Sequence, residues 1–323
     1  MTPYRTMSAA DLRIENQSIG FRKRRLGAPK LTTGNERRRI NPNRGLIKIC
    51  ERNLDRVVSR FVYPLIGHFW SPYSWLLEKR FTLTEASFSP PGWPRGLAPL
   101  RVLLITDIHA GIFLEPETLG RIITGLLQTK PDLVVIGGDL VTGHVGEVIP
   151  YLDALGPLAG TPLGAWFCFG NHDYFGGDPA ELRTNLAAVG IKTLKNESIS
   201  LAHQGGSFVL GGIDDLVLGK PDWLQLEAAH GRPHLLLAHN PDHFPNAVAR
   251  GIPLTLAGHT HGGQIRLPHG PPVIRQSRYC LDEGAYARNA SLLVVSRGLG
   301  SVALPLRWGA DPEALLIHIV PAT

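Results

Sequence analysis

Leu256-Ala257-Gly258-His259-Thr260-His261-Gly262-Gly263-Gln264 is the stretch that decides how the rest of the chain is read. The apolar run 253–257 stops at a glycine, the pattern of a buried strand running into a loop. Neutral imidazole offers a nitrogen lone pair near neutral pH and is the commonest metal-binding side chain. Two imidazoles two residues apart at a strand end can serve two adjacent metal ions, one each. A polar loop with both rings solvated is the plain alternative. Four other segments of the same kind tip the reading towards ligands.

Working outward, the run 101–106 ends in Thr106-Asp107-Ile108-His109, and 133–136 ends in Gly137-Gly138-Asp139. The run 163–169 ends in Gly170-Asn171-His172-Asp173, and 235–238 ends at His239. Helical patterns fall between them, over 116–128, 147–158 and 179–189. A fourth runs from an Asn240-Pro241 cap to residue 250, with asparagine as N-cap and proline at the first helical position. Short strands are expected near 191, 199 and 208–210, and late strands over 292–295 and 314–320. Strands alternating with helices, then strands in succession, predict an α/β fold, a mixed α/β sandwich. In open α/β sheets ligands bind beyond the carboxyl ends of the strands. Asp107, His109, Asp139, Asn171, His172, His239, His259 and His261 should therefore reach one rim. Carboxylate, imidazole and amide without thiolate suit Mn, Fe or Zn.

In this order the blocks resemble the calcineurin-like metallophosphoesterases, whose signature is D-x-H, G-D, G-N-H-D/E, a lone His, then G-H-x-H. All five are present across residues 101–261 without a departure. Gly262-Gly263-Gln264-Ile265-Arg266 and Ser296-Arg297-Gly298-Leu299-Gly300 look like the bacterial branch with YkuE- and YaeI-type phosphodiesterases. The resemblance covers about residues 100–320 and implies a four-layer α/β/β/α sandwich of mixed sheets. It implies that Asp107, His109, Asp139 and His261 hold one divalent metal, and Asp139, Asn171, His239 and His259 a second, with Asp139 bridging. Two such ions about 3.5–4 Å apart activate a water and clamp phosphoryl oxygens. The implied step is attack of a metal-bridging hydroxide on phosphorus. Catalytic roles fall to His172, as donor to the phosphate or departing oxygen, and to Asp173, expected to orient that ring. Manganese is the favoured metal, with iron or zinc as alternatives.

The charge of +6 is unevenly spread. Residues 1–80 hold 17 Lys and Arg against 6 Asp and Glu, so the basic character belongs to the N-terminal quarter and not to the site. Residues 1–45 read as a basic, disordered arm with few groups able to bury a core. Twin arginines there invite an export-signal reading, but no apolar h-region follows. Over 46–62 the apolar residues share one helical face, with Lys48, Arg52, Arg56 and Arg60 opposite. An aromatic run over 69–77 follows, giving 46–98 an amphipathic helix and a Pro-rich lead-in to a catalytic domain over 99–323. Such a basic helical extension either lies in a membrane interface through residues 46–77 or packs on the domain. No apolar run is long enough to span a bilayer. The three cysteines form no CxxC pair, which argues against a disulfide framework or a thiolate zinc site.

The substrate expected is a phosphodiester or pyrophosphate, with a membrane-associated lipid precursor such as a UDP-linked acylated glucosamine as a specific candidate. A nuclease or nucleotide phosphodiesterase using the arginine arm, and a non-enzymatic scaffold, are the alternatives. The location expected is cytoplasmic, with peripheral attachment to the inner membrane. Of the 13 histidines, those outside the motif read as ordinary surface or core residues, and His243 as part of a helix. Asp214, Asp215 and the arginines at 266, 275, 278 and 297 are possible cleft residues. Cys168 reads as a small core residue.

Overall fold

The computed structural model describes residues 22–32, 72–111, 113–175, 177–266 and 270–321. In chain order these form β1 (Arg22–Arg25), β2 (Lys30–Leu31), α1 (Pro72–Arg80), β3 (Thr82–Phe88), β4 (Leu100–Ile105), α2 (Pro116–Leu127), β5 (Leu133–Ile136), α3 (Leu152–Leu155), β6 (Ala165–Cys168) and α4 (Pro179–Ala188). There follow β7 (Lys192–Leu194), β8 (Glu197–His203), β9 (Gly206–Gly212), α5 (Trp223–Ala228), β10 (Leu235–Leu237), α6 (Phe244–Ala249), β11 (Leu254–Ala257), β12 (Gly284–Arg288), β13 (Ser291–Val295) and β14 (Glu313–Ile319).

The strands make two seven-stranded sheets, ordered β1-β3-β14-β4-β5-β6-β7 and β2-β12-β13-β11-β10-β9-β8. Both mix parallel and antiparallel pairs. Side-chain alternation along each strand sorts the core into three layers of contact. Val102 and Leu104 of β4 face Leu235, Leu237, Leu254 and Leu256 of the second sheet. Leu103 and Ile105, on the opposite face, pack on Ile122 and Leu126 of α2. Leu236 and Leu293 point away from the sandwich centre to Phe244 and Ala247 of α6. The result is helix, sheet, sheet, helix, as the family resemblance implied.

Three features depart from the sequence reading. Within the expected 1–45 arm, Arg22–Arg25 pairs in register with Thr82–Glu85 of β3, and Lys30–Leu31 pairs with β12. All six side chains are exposed; pairing here uses the backbone and needs no apolar side chain. Second, the folded body does not begin at 99. β3 lies inside the first sheet between β14 and β1, and α1 packs Tyr73 and Leu77 into the core beneath α2. Third, the helix expected over 147–158 is a 3-10 turn, a four-residue α segment and a second 3-10 turn. Pro150 and Pro157 lack the amide hydrogens that a continuous α-helix requires. The amphipathic helix expected over 46–62 lies outside the described residues. Among the described residues no helix is long and apolar enough to cross a membrane.

Candidate metal centre

β4, β5 and β6 run parallel, as do β9, β10, β11 and β13 in the other sheet. Their carboxyl ends therefore open on one edge of the sandwich, and every expected ligand sits on a loop leaving that edge. Two sets of donor atoms converge there, each within 4.8 Å of one another: Asp107, His109 and His261, and Asp139, His239 and His259. All six residues are buried. Asn171, 9% exposed, lies in the next loop, and its Oδ1 has no hydrogen-bond partner.

The loops that hold these groups are tied to one another. The Asp107 N–H donates to the Gly138 carbonyl (2.9 Å), and the His109 N–H to that of Asp139 (3.1 Å). Both carboxylate oxygens of Asp107 accept from the His259 N–H, at 2.9 and 3.1 Å. The Asp139 Oδ1 accepts from the His172 N–H at 2.7 Å, which turns Oδ2 towards the histidines. Asp107, His109, Asp139, His259 and His261 all have φ between 49° and 70°. Non-glycine residues rarely occupy this left-handed region, at a cost of about 1–3 kcal/mol each, and such strain clusters at functional sites. The motif glycines have a steric reason. A Cβ at Gly170 would overlap the Asp139 carboxylate, and one at Gly258 the Asp107 carboxylate.

Donor chemistry at the second set fits a cation. The Nδ1–H of His239 donates to the Gly137 carbonyl at 2.7 Å, leaving the Nε2 lone pair 3.0 Å from Asp139 Oδ2. That Nε2 makes no aligned hydrogen bond, so two electron-rich atoms face each other in a buried place. Something positive must lie between them. Without a metal it is a proton: burial disfavours the charged ring, but the Asp139 carboxylate outweighs burial and lifts His239 to about 10. Burial likewise opposes ionisation of Asp139, yet His239 and His172 hold its carboxyl well below the usual range. A divalent cation in that place would be held by the same two groups.

At the first set, burial keeps His109 and His261 well below the ordinary histidine range, with the His172 ring and the Arg307 guanidinium, respectively, adding to the effect. Their Nε2 atoms stand 3.1 Å apart, and His261 Nε2 is 3.5 Å from Asp107 Oδ1. Asp107 is pushed up to about 6, mainly by burial. Arg307 Nη2 donates to His261 Nδ1, so that neutral ring holds its proton on Nε2, facing His109 Nε2; a cation would take the proton's place between the two rings and the carboxylate.

His172 is only partly buried and belongs to neither set. Its Nδ1–H donates to the Thr142 carbonyl at 2.6 Å, and its ring stands edge-on to His109 at 4.7 Å. Thr142 is itself placed by Glu147, whose Oε2 accepts its N–H at 3.0 Å. Asp173 does not orient His172, contrary to expectation. Its buried carboxylate accepts backbone N–H bonds from Asp139 (2.9 Å), Leu140 (2.8 Å) and Gly170 (2.8 Å), clamping the second ligand loop to the third. Successive side chains of the 3-10 turn His172–Tyr174 leave it about 120° apart, so adjacency in sequence does not give contact in space.

Sequence reasoning missed Arg307. It is fully buried, and its Nη2 donates to His261 Nδ1 at 2.9 Å while Nη1 donates to the His261 carbonyl at 3.0 Å. Nothing local in Leu306-Arg307-Trp308 marks it. Arg297 is paired with Glu313 at 2.7 Å, and Arg266 and Arg275 with Glu283 and Asp282. Asp214 and Asp215 cap the loop after β9, where Asp215 accepts from the Val217 and Leu218 N–H groups. His243 is buried against Trp223 and outside both donor sets.

A strained, glycine-lined strand edge carrying two facing donor sets fits a dinuclear metal site of the phosphoesterase kind. A sequence-family model described as calcineurin-like phosphoesterase matches residues 100–263, and the chain belongs to that family. It is a phosphoric ester hydrolase. It is 34% identical over 240 residues to an uncharacterized metallophosphoesterase, YkuE, of Bacillus subtilis, covering 71% of this chain and 82% of that one. Over 231 residues it is 33% identical to phosphodiesterase YaeI of Escherichia coli, covering 69% and 83%.

Proposed function

We propose that the chain hydrolyses a phosphodiester or pyrophosphate with two divalent metal ions, manganese being the favoured metal. The observation that carries this is the facing of Asp139 Oδ2 and His239 Nε2 at 3.0 Å beside the Asp107, His109 and His261 set. Asp107, His109, Asp139 and His261 would hold one ion, and Asp139, Asn171, His239 and His259 the other. When bound, the pair of ions supplies an activated water and neutralises charge on the phosphoryl oxygens.

The chain's own residues do the rest. Asp139, with Oδ1 fixed by the His172 amide, presents its second oxygen to both donor sets. With its Nδ1–H committed to Thr142, His172 acts at the departing oxygen from Nε2, and does so as the imidazolium, giving up the Nε2 proton and returning to the neutral ring. Asp173 keeps the two loops carrying Asp139 and Asn171 in register. The name of the relative YaeI supports a phosphodiester as substrate class. Within that class we favour a membrane-associated lipid precursor, such as a UDP-linked acylated glucosamine, met at the inner face of the membrane.

The test is hydrolysis of bis-p-nitrophenyl phosphate with added manganese against the same protein in EDTA, then a panel of diesters, monoesters and pyrophosphates. Metal-dependent turnover with diesters or pyrophosphates preferred is expected. Turnover unaffected by EDTA, or confined to DNA and RNA, would contradict the proposal.

A further inference from the structure

The edge that carries the metal ligands also carries most of the exposed apolar surface. Thirteen large apolar side chains are exposed among the described residues, and eight of them lie on three loops leaving this edge. Leu216, Val217 and Leu218 form the tip of the loop after β9. Val273 and Ile274 follow β11, and Leu304, Leu306 and Trp308 follow β13.

The last two loops are stitched together immediately after His261. The Trp308 N–H donates to the Gln264 carbonyl (2.9 Å), the Arg266 N–H to that of Trp308 (2.8 Å), and the Val273 N–H to that of Ile265 (2.9 Å). Gln264 Nε2 donates to the Val302 carbonyl at 2.8 Å. Trp308, 57% exposed, is thus one residue from the Arg307 that holds a metal-set histidine. Concentrated exposed apolar surface marks an interaction site.

Resting on the hydrolase reading above for what the site does there, we propose that this collar docks the mouth of the metal centre onto an anionic lipid surface, from which a lipid-borne phosphoester is taken. The position of the collar selects the occupant. Any large partner covering the mouth would seal it unless that partner also delivered the substrate, and a bilayer does deliver one. Two cations, Lys220 and Arg278, are exposed on the same loops as residues 216–218 and 273–274, and the exposed Asp222 sits at the foot of the first loop, where it caps α5. Cations beside apolar groups suit anionic headgroups, and tryptophan favours the interface between water and hydrocarbon.

Cosedimentation of the full chain with vesicles tests the proposal, using phosphatidylcholine alone and phosphatidylcholine with phosphatidylglycerol. The parent should pellet with the anionic vesicles and much less with the neutral ones. The triple variant Leu304→Ser, Leu306→Ser, Trp308→Ser should bind at least about tenfold more weakly, with its melting temperature and its turnover of soluble bis-p-nitrophenyl phosphate kept. Asp139→Asn should bind as the parent does, so docking and hydrolysis are read separately. Parent that ignores both vesicle types, or a triple variant that binds as well as the parent, overturns the docking. So does a triple variant that converts a parent dimer to a monomer in sedimentation, because the collar would then be a contact between two copies.

Discussion

The two sheets contribute different chemistry to the same edge. The first supplies both carboxylates, the amide and one ligand imidazole, on the loops after β4, β5 and β6. The second supplies imidazoles alone, His239, His259 and His261, after β10 and β11. Neither sheet holds a complete set: each group of donors takes members from both. A metal ion in either group would therefore bond across the sandwich, and the affinity of the centre should depend on the two layers being correctly packed. Binding to the folded state alone also stabilises it by mass action.

The sharpest way to break this comparison is to remove the one residue that faces both groups. Asp139→Asn should lower turnover of a diester by roughly a thousandfold or more and leave the purified protein with less than its full metal complement. Steady-state rates and elemental analysis of the same sample check this together. Full activity in that variant would mean that the sheets do not share a bridged centre.

A second change separates holding from reacting. His172 sits in the first sheet's loops but outside both donor groups. His172→Ala should lose about 10²- to 10⁴-fold in turnover while metal content stays as in the parent. Loss of metal along with activity would make His172 a ligand and redraw the first sheet's contribution.

Arg307 sharpens the second sheet's side. Partners of a ligand histidine typically matter about 10- to 100-fold in metal affinity. Arg307 donates to His261 Nδ1, so the neutral ring holds its proton on Nε2 beside a positive charge; Arg307→Met should tighten one metal step by about 10-fold and leave the other near its parent value. Competition titration with a chelating dye reads the two steps. Equal weakening of both would point to a general loss of fold.

The smallest effect is in the protons. In the metal-free protein the Asp139 charge lifts His239 to about 10, so this ring is protonated at pH 7 and must release its proton to bind metal. Metal affinity should therefore rise as pH rises towards 10, and level off above it. Stability of the metal-free form runs the opposite way: the raised ring adds stability below its unfolded value near 6.5, an increment lost as pH climbs through 10. Metal uptake in weakly buffered solution should acidify it, and the proton count can be titrated.

The sequence made the ligand loops legible because each closes a short, mostly apolar strand and the donors are few and chemically distinct. It did not show the loops' internal ties. Asp173 stands next to His172 in the motif, yet its carboxylate turns to the backbone of residues 139–141 and 170. Arg307 lies 46 residues beyond the histidine it touches. β3, with Thr82, Thr84 and Glu85, lacks the apolar density of a buried strand, but Thr84 and Glu313 bond each other at 2.8 Å within the sheet. β1 and β2 pair through the backbone with every side chain in solvent, a pattern that carries no hydropathy signal.

Anomalous scattering from crystals of the protein grown with manganese tests the central claim most directly. Two peaks per chain are expected, one among Asp107, His109 and His261 and one among Asp139, His239 and His259, with an Asp139 oxygen within bonding distance of both. A single peak, or two peaks that share no ligand from the first sheet, would contradict the account.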